Sequence, residues 1–273
     1  MSITRKKTLL QVENLSIGFS QYVRGIQKRV IRPISDMHVD INEGEIVAVV
    51  GASGSGKSLL AHAVLGILPS NAICSGSMAY KGEELTQKRK EQLRGREISF
   101  IPQAVNYLDP LMRVGRQVQI GMNKKTAQVE QQKLFAQYDL KKSDGRLFPY
   151  ELSGGMLRRV LFATSVREGI QLVIADEPTP GIHPQALSEI LRQLKQFAKE
   201  GAGVMLITHD IMSALEIADR VAVIKDGATV EISEAAAFEG NGERLKTEYT
   251  QRLWRALPQN DFDLDFRRKA GEI

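Results

Sequence analysis

The chain has one cysteine, Cys74, and one tryptophan, Trp254, among 273 residues. A single thiol excludes a disulfide framework and any four-thiolate zinc site within one chain. The opening MSITRKKTLLQVENL lacks an apolar stretch long enough for a secretion signal, so a reducing compartment is expected. No run approaches the ~18 consecutive apolar residues that a bilayer-spanning helix requires. Internal repeats and low-complexity segments are absent, as is a strong excess of either charge. The 37 basic and 32 acidic residues leave a net charge of +5. That balance permits an anionic partner such as a nucleotide or a lipid surface, but does not require nucleic acid. Hydrophobic residues make up 42% and charged residues 25%, which excludes a disordered or fibrous chain. The length suits about two units, or one large domain with an insertion.

Residues 8–19 alternate loosely and predict an edge strand, and residues 37–41 predict another. Ile46-Val47-Ala48-Val49-Val50 and Leu172-Val173-Ile174-Ala175 are unbroken apolar runs, the mark of strands buried on both faces in a parallel sheet. Helices are predicted over 58–68, stopped by Pro69, and over 85–95; the charge run Lys88-Arg89-Lys90, with Arg94 and Arg96, reads as a solvated helix face, with contact to lipid headgroups or a membrane partner as the alternative. Residues 107–148 are helical in pattern, and a further helix covers 156–166. Helices at 185–199 and 212–218 alternate with strands at 204–208 and 221–224, and Asp226-Gly227 signals a hairpin. Strands alternating with helices define an α/β layer fold with a mostly parallel sheet. Residues from about 85 to 165 interrupt it as an inserted helical subdomain. A domain over 1–240 and a charged tail over 241–273, with Trp254 as an aromatic anchor, complete the expected organisation. Cys74 is expected to be a small packing residue.

Gly51-Ala52-Ser53-Gly54-Ser55-Gly56-Lys57-Ser58 matches G-x-x-x-x-G-K-[ST] in full, after an apolar strand and before a helix. In such a loop the glycines let successive backbone N–H groups turn inward onto phosphate oxygens, and the following helix adds its positive end. Gly51, Ser53, Gly54, Ser55, Gly56, Lys57 and Ser58 are therefore candidate phosphate-binding residues. Lys57 would bridge the β- and γ-phosphates, and Ser58 would place its hydroxyl on Mg²⁺. Asp176-Glu177 ends the second apolar run, where strand ends gather in open parallel sheets. Asp176 is the candidate Mg²⁺ carboxylate. Glu177 is the candidate general base or water-positioning residue.

Leu152-Ser153-Gly154-Gly155-Met156, about twenty residues before the acidic pair, resembles the signature of the ATP-binding cassette (ABC) ATPases. Phe100-Ile101-Pro102-Gln103 and Leu206-Ile207-Thr208-His209-Asp210 fall in the order of that family's further motifs. The resemblance runs from about residue 8 to 235. It implies a P-loop NTPase fold of the ABC type: a mostly parallel α/β core, an antiparallel edge subdomain and the inserted helical subdomain. It implies that Ser153, Gly154 and Gly155 face the γ-phosphate bound by an opposite subunit. It also implies that Gln103 senses Mg²⁺ and touches a membrane partner, and that His209 contacts the γ-phosphate. Phe19, with Tyr22 as rival, resembles the aromatic that stacks on adenine.

Met156 in place of glutamine, together with Tyr107-Leu108-Asp109-Pro110-Leu111 and Phe148-Pro149-Tyr150-Glu151, resembles the peptide/nickel importer branch. The implied protein is an ATPase using ATP and Mg²⁺. Its implied partners are a second ATP-binding subunit, two transmembrane permease subunits and a solute-binding protein, and it would sit peripherally on the cytoplasmic face of the cell membrane. Without a cysteine cluster in the tail, the resemblance leans toward nickel and metallophore members over dipeptide ones. His183 stands where the family usually has aspartate, and this implies pairing with a different ATPase subunit in an asymmetric dimer. An ABC-type ATPase acting on DNA or the ribosome is the alternative, as is a nucleotide-responsive module without turnover. A single phosphate loop and no sustained heptads argue against the former.

Overall fold

The computed structural model describes residues 7–24, 27–103, 105–165, 167, 169–178 and 184–257, except the side chains of 22–24, 27–28, 105 and 184–186. In chain order the elements are β1 (Thr8–Arg24), β2 (Gln27–Asn42), β3 (Ile46–Gly51), α1 (Lys57–Leu65), β4 (Ala72–Tyr80), β5 (Glu83–Glu84), α2 (Gln87–Leu93) and β6 (Ile98–Ile101). Then follow α3 (Val114–Gln119), α4 (Ala127–Gln137), α5 (Gly154–Ser165), β7 (Leu172–Asp176), α6 (Pro184–Lys199), β8 (Gly203–Thr208), α7 (Ile211–Leu215), β9 (Arg220–Lys225), β10 (Ala228–Glu234) and α8 (Glu248–Arg255).

The described strands form one sheet in the order β5-β4-β1-β2-β10-β9-β3-β8-β7-β6. Its working half, β9-β3-β8-β7-β6, is parallel throughout. The continuous apolar runs follow from burial on both faces. Ile46, Ala48 and Val50 of β3 join a core with α5, α6 and α7. Val47 and Val49 point the other way, into a core with α1, β1 and β2. Strands β7, β8 and β9 divide their residues between the same two cores, so none of them carries a polar face.

Beyond β10, strands β2, β1, β4 and β5 pair antiparallel in turn, the expected antiparallel edge region. Several expectations need correction. Strand β1 is not an edge: β2 and β4 flank it, and β5 and β6 end the sheet. Strand β4 leaves no signal in the sequence, because most of it is exposed and lacks an apolar rhythm. Cys74 lies on that strand and is exposed, not packed. Helix α1 stops before Pro69, because Gly66 adopts the left-handed conformation and caps it, its N–H reaching the carbonyls of Ala63 and His62. The basic run of α2 is not uniformly solvated: Lys90 is buried and Arg94 donates to the Leu65 carbonyl at 3.1 Å. Asp226 and Gly227 both have positive φ, as a two-residue hairpin between β9 and β10 requires.

Helix α8 is fastened to the core at both ends. Trp254 is buried edge-on against Phe238, and its Nε1 donates to the Gly240 carbonyl at 3.0 Å. At the other end, Thr247 caps the helix and Glu231 of β10 accepts from the Thr247 N–H at 2.9 Å and hydroxyl at 2.8 Å. Burial alone would raise the Glu231 pKa. Bonds from the Lys246 and Thr247 backbone and from Ser233 and Thr247 outweigh it and pull the value down to about 2. A carboxylate held at about 2 in place of 4.5 contributes roughly 3 kcal/mol to the folded state at neutral pH. Because the folded value is depressed, that contribution is complete above about pH 4.5 and is lost as pH falls toward 2. The emission of Trp254, the chain's one tryptophan, should therefore shift to the red over this interval. In Glu231→Gln the shift should be largely absent from that interval, with the helix already loosened at neutral pH.

Candidate nucleotide site

Parallel register decides where the functional side chains meet. Val50 lies beside Thr208, Gly51 beside Ile224, Asp176 beside Ile207 and Ile101 beside Ala175. All these strands run the same way, so the segments after β3, β6, β7 and β8 emerge at one edge of the sheet. Those segments carry the phosphate loop, Gln103, Glu177 and His209.

The loop itself tolerates no substitute for two of its glycines. A Cβ on Gly51 would lie 2.3 Å from the Ile224 carbonyl oxygen. Gly56 has φ 95°, and a Cβ there would lie 2.9 Å from Ile34 Cγ1. Ser53 and Gly54 are exposed at the turn. Ser55 is buried, and its hydroxyl oxygen has no hydrogen-bond partner. Lys57 is buried and curls back to donate to the Gly51 and Ala52 carbonyls, both at 2.9 Å. Burial lowers its pKa, against the opposing influence of Glu177 and Asp176. An orphaned hydroxyl and a cation resting on its own loop's carbonyls fit a pocket shaped for phosphate oxygens.

Ser58 donates its hydroxyl to Asp176 Oδ1 at 3.0 Å. A hydroxyl paired with a carboxylate is an all-oxygen donor set, which suits a hard cation such as Mg²⁺. Asp176 is buried, which raises its pKa; Ser58, His62 and Lys57 pull it down, and Glu177 pushes it up.

Glu177 occupies the left-handed region at φ 41°, and its N–H donates to the Ile207 carbonyl at 2.8 Å. Its carboxylate and that of Asp176 meet different partners. Glu177 Oε2 accepts from Gln103 Nε2 at 3.0 Å, and Oε1 lies 3.3 Å from His209 Nδ1. Gln103, Glu177 and His209, from the segments that follow three different strands, thus form one cluster.

Ser153, Gly154 and Gly155 stand apart from these groups. They lie exposed at the start of α5, and a Cβ on either glycine would meet nothing within 4 Å. Ser153 Oγ accepts from the Met156 N–H at 3.3 Å, which caps the helix. Phe19 sits on β1 between Ile31 and Ala72, partly buried against the core under that strand. It does not line the cleft beside the phosphate loop. The Tyr22 side chain and all of His183 lie outside the described residues.

Two further residues of the site carry little signal in the sequence. Arg158, one turn into α5, donates to the Gln103 carbonyl at 3.0 Å and so ties the signature helix to the glutamine segment. Its only signal is a cation in a largely apolar helix. Tyr249 of α8 reaches the cleft beside Ala52–Ser55, and nothing local in the sequence announces that.

The fold and the edge cluster define a P-loop nucleotide-binding protein. Residues 34–180 match the ABC transporter family. The chain is 33% identical over 270 residues to the ABC transporter ATP-binding protein YejF of Escherichia coli K12, covering 93% of this chain and 50% of that one. It is 33% identical over 266 residues to the oligopeptide transport ATP-binding protein OppD of Lactococcus lactis, covering 92% and 76%. With the dipeptide transport ATP-binding protein DppD of E. coli the identity is 32% over 265 residues, covering 92% and 79%. Among solved structures, the fold resembles the dimeric ATP-binding cassette MJ0796 bound to ADP and phosphate, with a TM-score of 0.71 and 23% identity over 83% of this chain and 99% of that one. An ATP-binding subunit of an ABC transporter gives a TM-score of 0.70 at 22% identity, over 90% of this chain and 98% of that one. The chain belongs to the ABC transporter family and is one of its ATP-binding, ATP-hydrolysing subunits. Nothing in these relatives supports action on DNA or the ribosome, and nickel transport finds no specific support.

The raised pKa of Asp176 has a consequence for stability. Above its ordinary carboxylate range, the folded protein must carry a buried charge that the unfolded chain carries in water, so this residue costs stability at neutral pH. Asp176→Asn retains an acceptor for Ser58 and removes that charge. It should raise the melting temperature of the nucleotide-free protein in a thermal scan. Its Mg²⁺-dependent ATP hydrolysis, read as phosphate release, should fall about 100-fold or more.

Proposed function

We propose that this chain energises a peptide importer: it binds and hydrolyses ATP, and passes the resulting change of state to separate membrane subunits. The observation that carries this reading is the cluster of Gln103 and His209 on the Glu177 carboxylate, beside the Lys57, Ser58 and Asp176 groups. The names of OppD and DppD, which refer to oligopeptide and dipeptide transport, support peptide over nickel as the cargo class.

The residues divide the work. Backbone N–H groups of Ser53–Ser58 and the positive end of α1 receive the phosphates. The Lys57 ammonium exchanges the Gly51 and Ala52 carbonyls for phosphate oxygens. Ser58 and Asp176 would hold Mg²⁺, which offsets the charge of the β- and γ-phosphates when bound. Glu177 orients and deprotonates the attacking water. Gln103 donates to its Oε2, and His209 Nδ1 lies 3.3 Å from its Oε1, so both groups are placed to respond when nucleotide and water approach the carboxylate. Arg158 ties any movement of Gln103 to α5, and so to the signature.

The exposed Ser153-Gly154-Gly155 terminus supports a second cassette as partner. It offers backbone donors and a helix dipole to a γ-phosphate held by another chain. Closure would grip each triphosphate from two sides, and loss of the terminal phosphate would release one grip. The partner is a second ATP-binding subunit, of a different sequence if His183 alters one composite site. Gln103 and the Asp109-Pro110 segment would face two permease subunits, and a solute-binding protein would deliver the cargo. No described helix is long and apolar enough to cross a membrane. The chain would then be held peripherally, on the cytoplasmic face, by the permeases. The ATPase domain is assigned to residues 1–240 with its helical subdomain at about 85–165, and the tail to 241–273.

Glu177→Gln should keep ATP affinity, stabilise the ATP-bound dimer on size exclusion and lower steady-state turnover about 10²–10⁴-fold. Ordinary turnover in that variant would remove Glu177 from its role. Lys57→Ala should weaken ATP binding in equilibrium titrations, and unchanged affinity would overturn the loop assignment.

A further inference from the structure

Beside the phosphate loop lies a cleft of about 370 Å³. One wall is Ala52–Ser55. The rest of its lining comes from Arg32 and Pro33 of β2, Lys225 at the end of β9 with the hairpin residues Asp226 and Gly227, and Tyr249 of α8. Tyr249 comes from the segment beyond the last strand. We propose that Tyr249 and Lys225 contact the phosphate chain of bound ATP across this cleft, so that the C-terminal helix forms part of the nucleotide site. The inference rests on the phosphate-loop reading above and extends it to a segment with no assigned role.

Three observations carry it. First, the cleft gathers three side chains able to donate to phosphate oxygens, Tyr249, Lys225 and Arg32, around the loop serines, and their two cations outnumber its one carboxylate, Asp226. Second, the ring is held in place. Lys225 Nζ lies 4.7 Å from the Tyr249 ring centroid, and Tyr249 packs at the margin of the core. Third, the helix carrying it is fixed from both ends, by Glu231 on Thr247 and by Trp254 beneath Phe238.

The test is equilibrium binding of ATP and of inorganic triphosphate to Tyr249→Phe, Lys225→Gln and Tyr249→Ala, with Lys57→Ala alongside. Tyr249→Phe keeps the ring and its contact with Lys225 and removes only the hydroxyl. Loss of a hydrogen bond to a charged phosphate should weaken both ligands about tenfold in Tyr249→Phe and in Lys225→Gln. The far-ultraviolet circular dichroism and Trp254 emission of the free proteins should stay as in the wild type, which separates a contact from a packing role. Triphosphate affinity unchanged in both conservative variants, while Lys57→Ala abolishes binding, overturns this inference and leaves the phosphate loop standing. Unchanged binding in Lys57→Ala overturns the loop reading and this inference together. Tyr249→Ala should lose at least as much affinity as Tyr249→Phe; if it does not fold, the two conservative variants decide the matter.

Discussion

The parallel pairing of β3 with β8 and β9, and of β8 with β7, is the constraint on which the rest depends. Each of these strands is apolar on both faces, so it is stable only between two cores. Helices on one side and the β1–β2 layer with α1 on the other supply them. Once the strands run in one direction, their ends deliver loop, carboxylates and histidine to the same edge. Hydrophobic burial, which has no chemical interest in phosphate, thereby builds the geometry of a phosphate site.

That edge is poorly suited to the protein's own stability. Asp176 carries a charge that burial opposes, Lys57 donates to carbonyls of its own loop, and Ser55 has a buried hydroxyl with no partner. Glu177 adopts a backbone conformation that few residues other than glycine take up. A triphosphate and its cation would supply partners for the Asp176, Lys57 and Ser55 groups. The cores on either side of the sheet supply the stability that lets such a site persist. The sites for ligand and for stability are therefore separated in space, although they share strands.

Much of this was legible in the sequence, and the reason is locality. A phosphate loop is eight consecutive residues whose backbone does the binding, so its spacing survives in one dimension. The same holds for Asp176-Glu177, where a strand end and its carboxylates are adjacent. Legibility fell where exposure masked periodicity, as in β4, and where a charge was read as solvated although packing bury it, as with Lys90. It also fell at the end of α1, where a glycine cap stops the helix before the proline does.

The sequence alone determined the chemistry of each wall: a glycine-rich cradle, an acidic strand end, a signature at a helix start and two strand-end polar residues. Tertiary structure alone decided which of them touch. Gln103 and His209 meet on Glu177 because three parallel strands stop at one height, and the signature stays exposed because α5 presents it to solvent. Tyr249 lines a cleft together with the phosphate loop, on a helix anchored through Glu231 and Trp254. Contacts between residues far apart in the chain depend on how packed layers align, and no short run of sequence encodes that alignment.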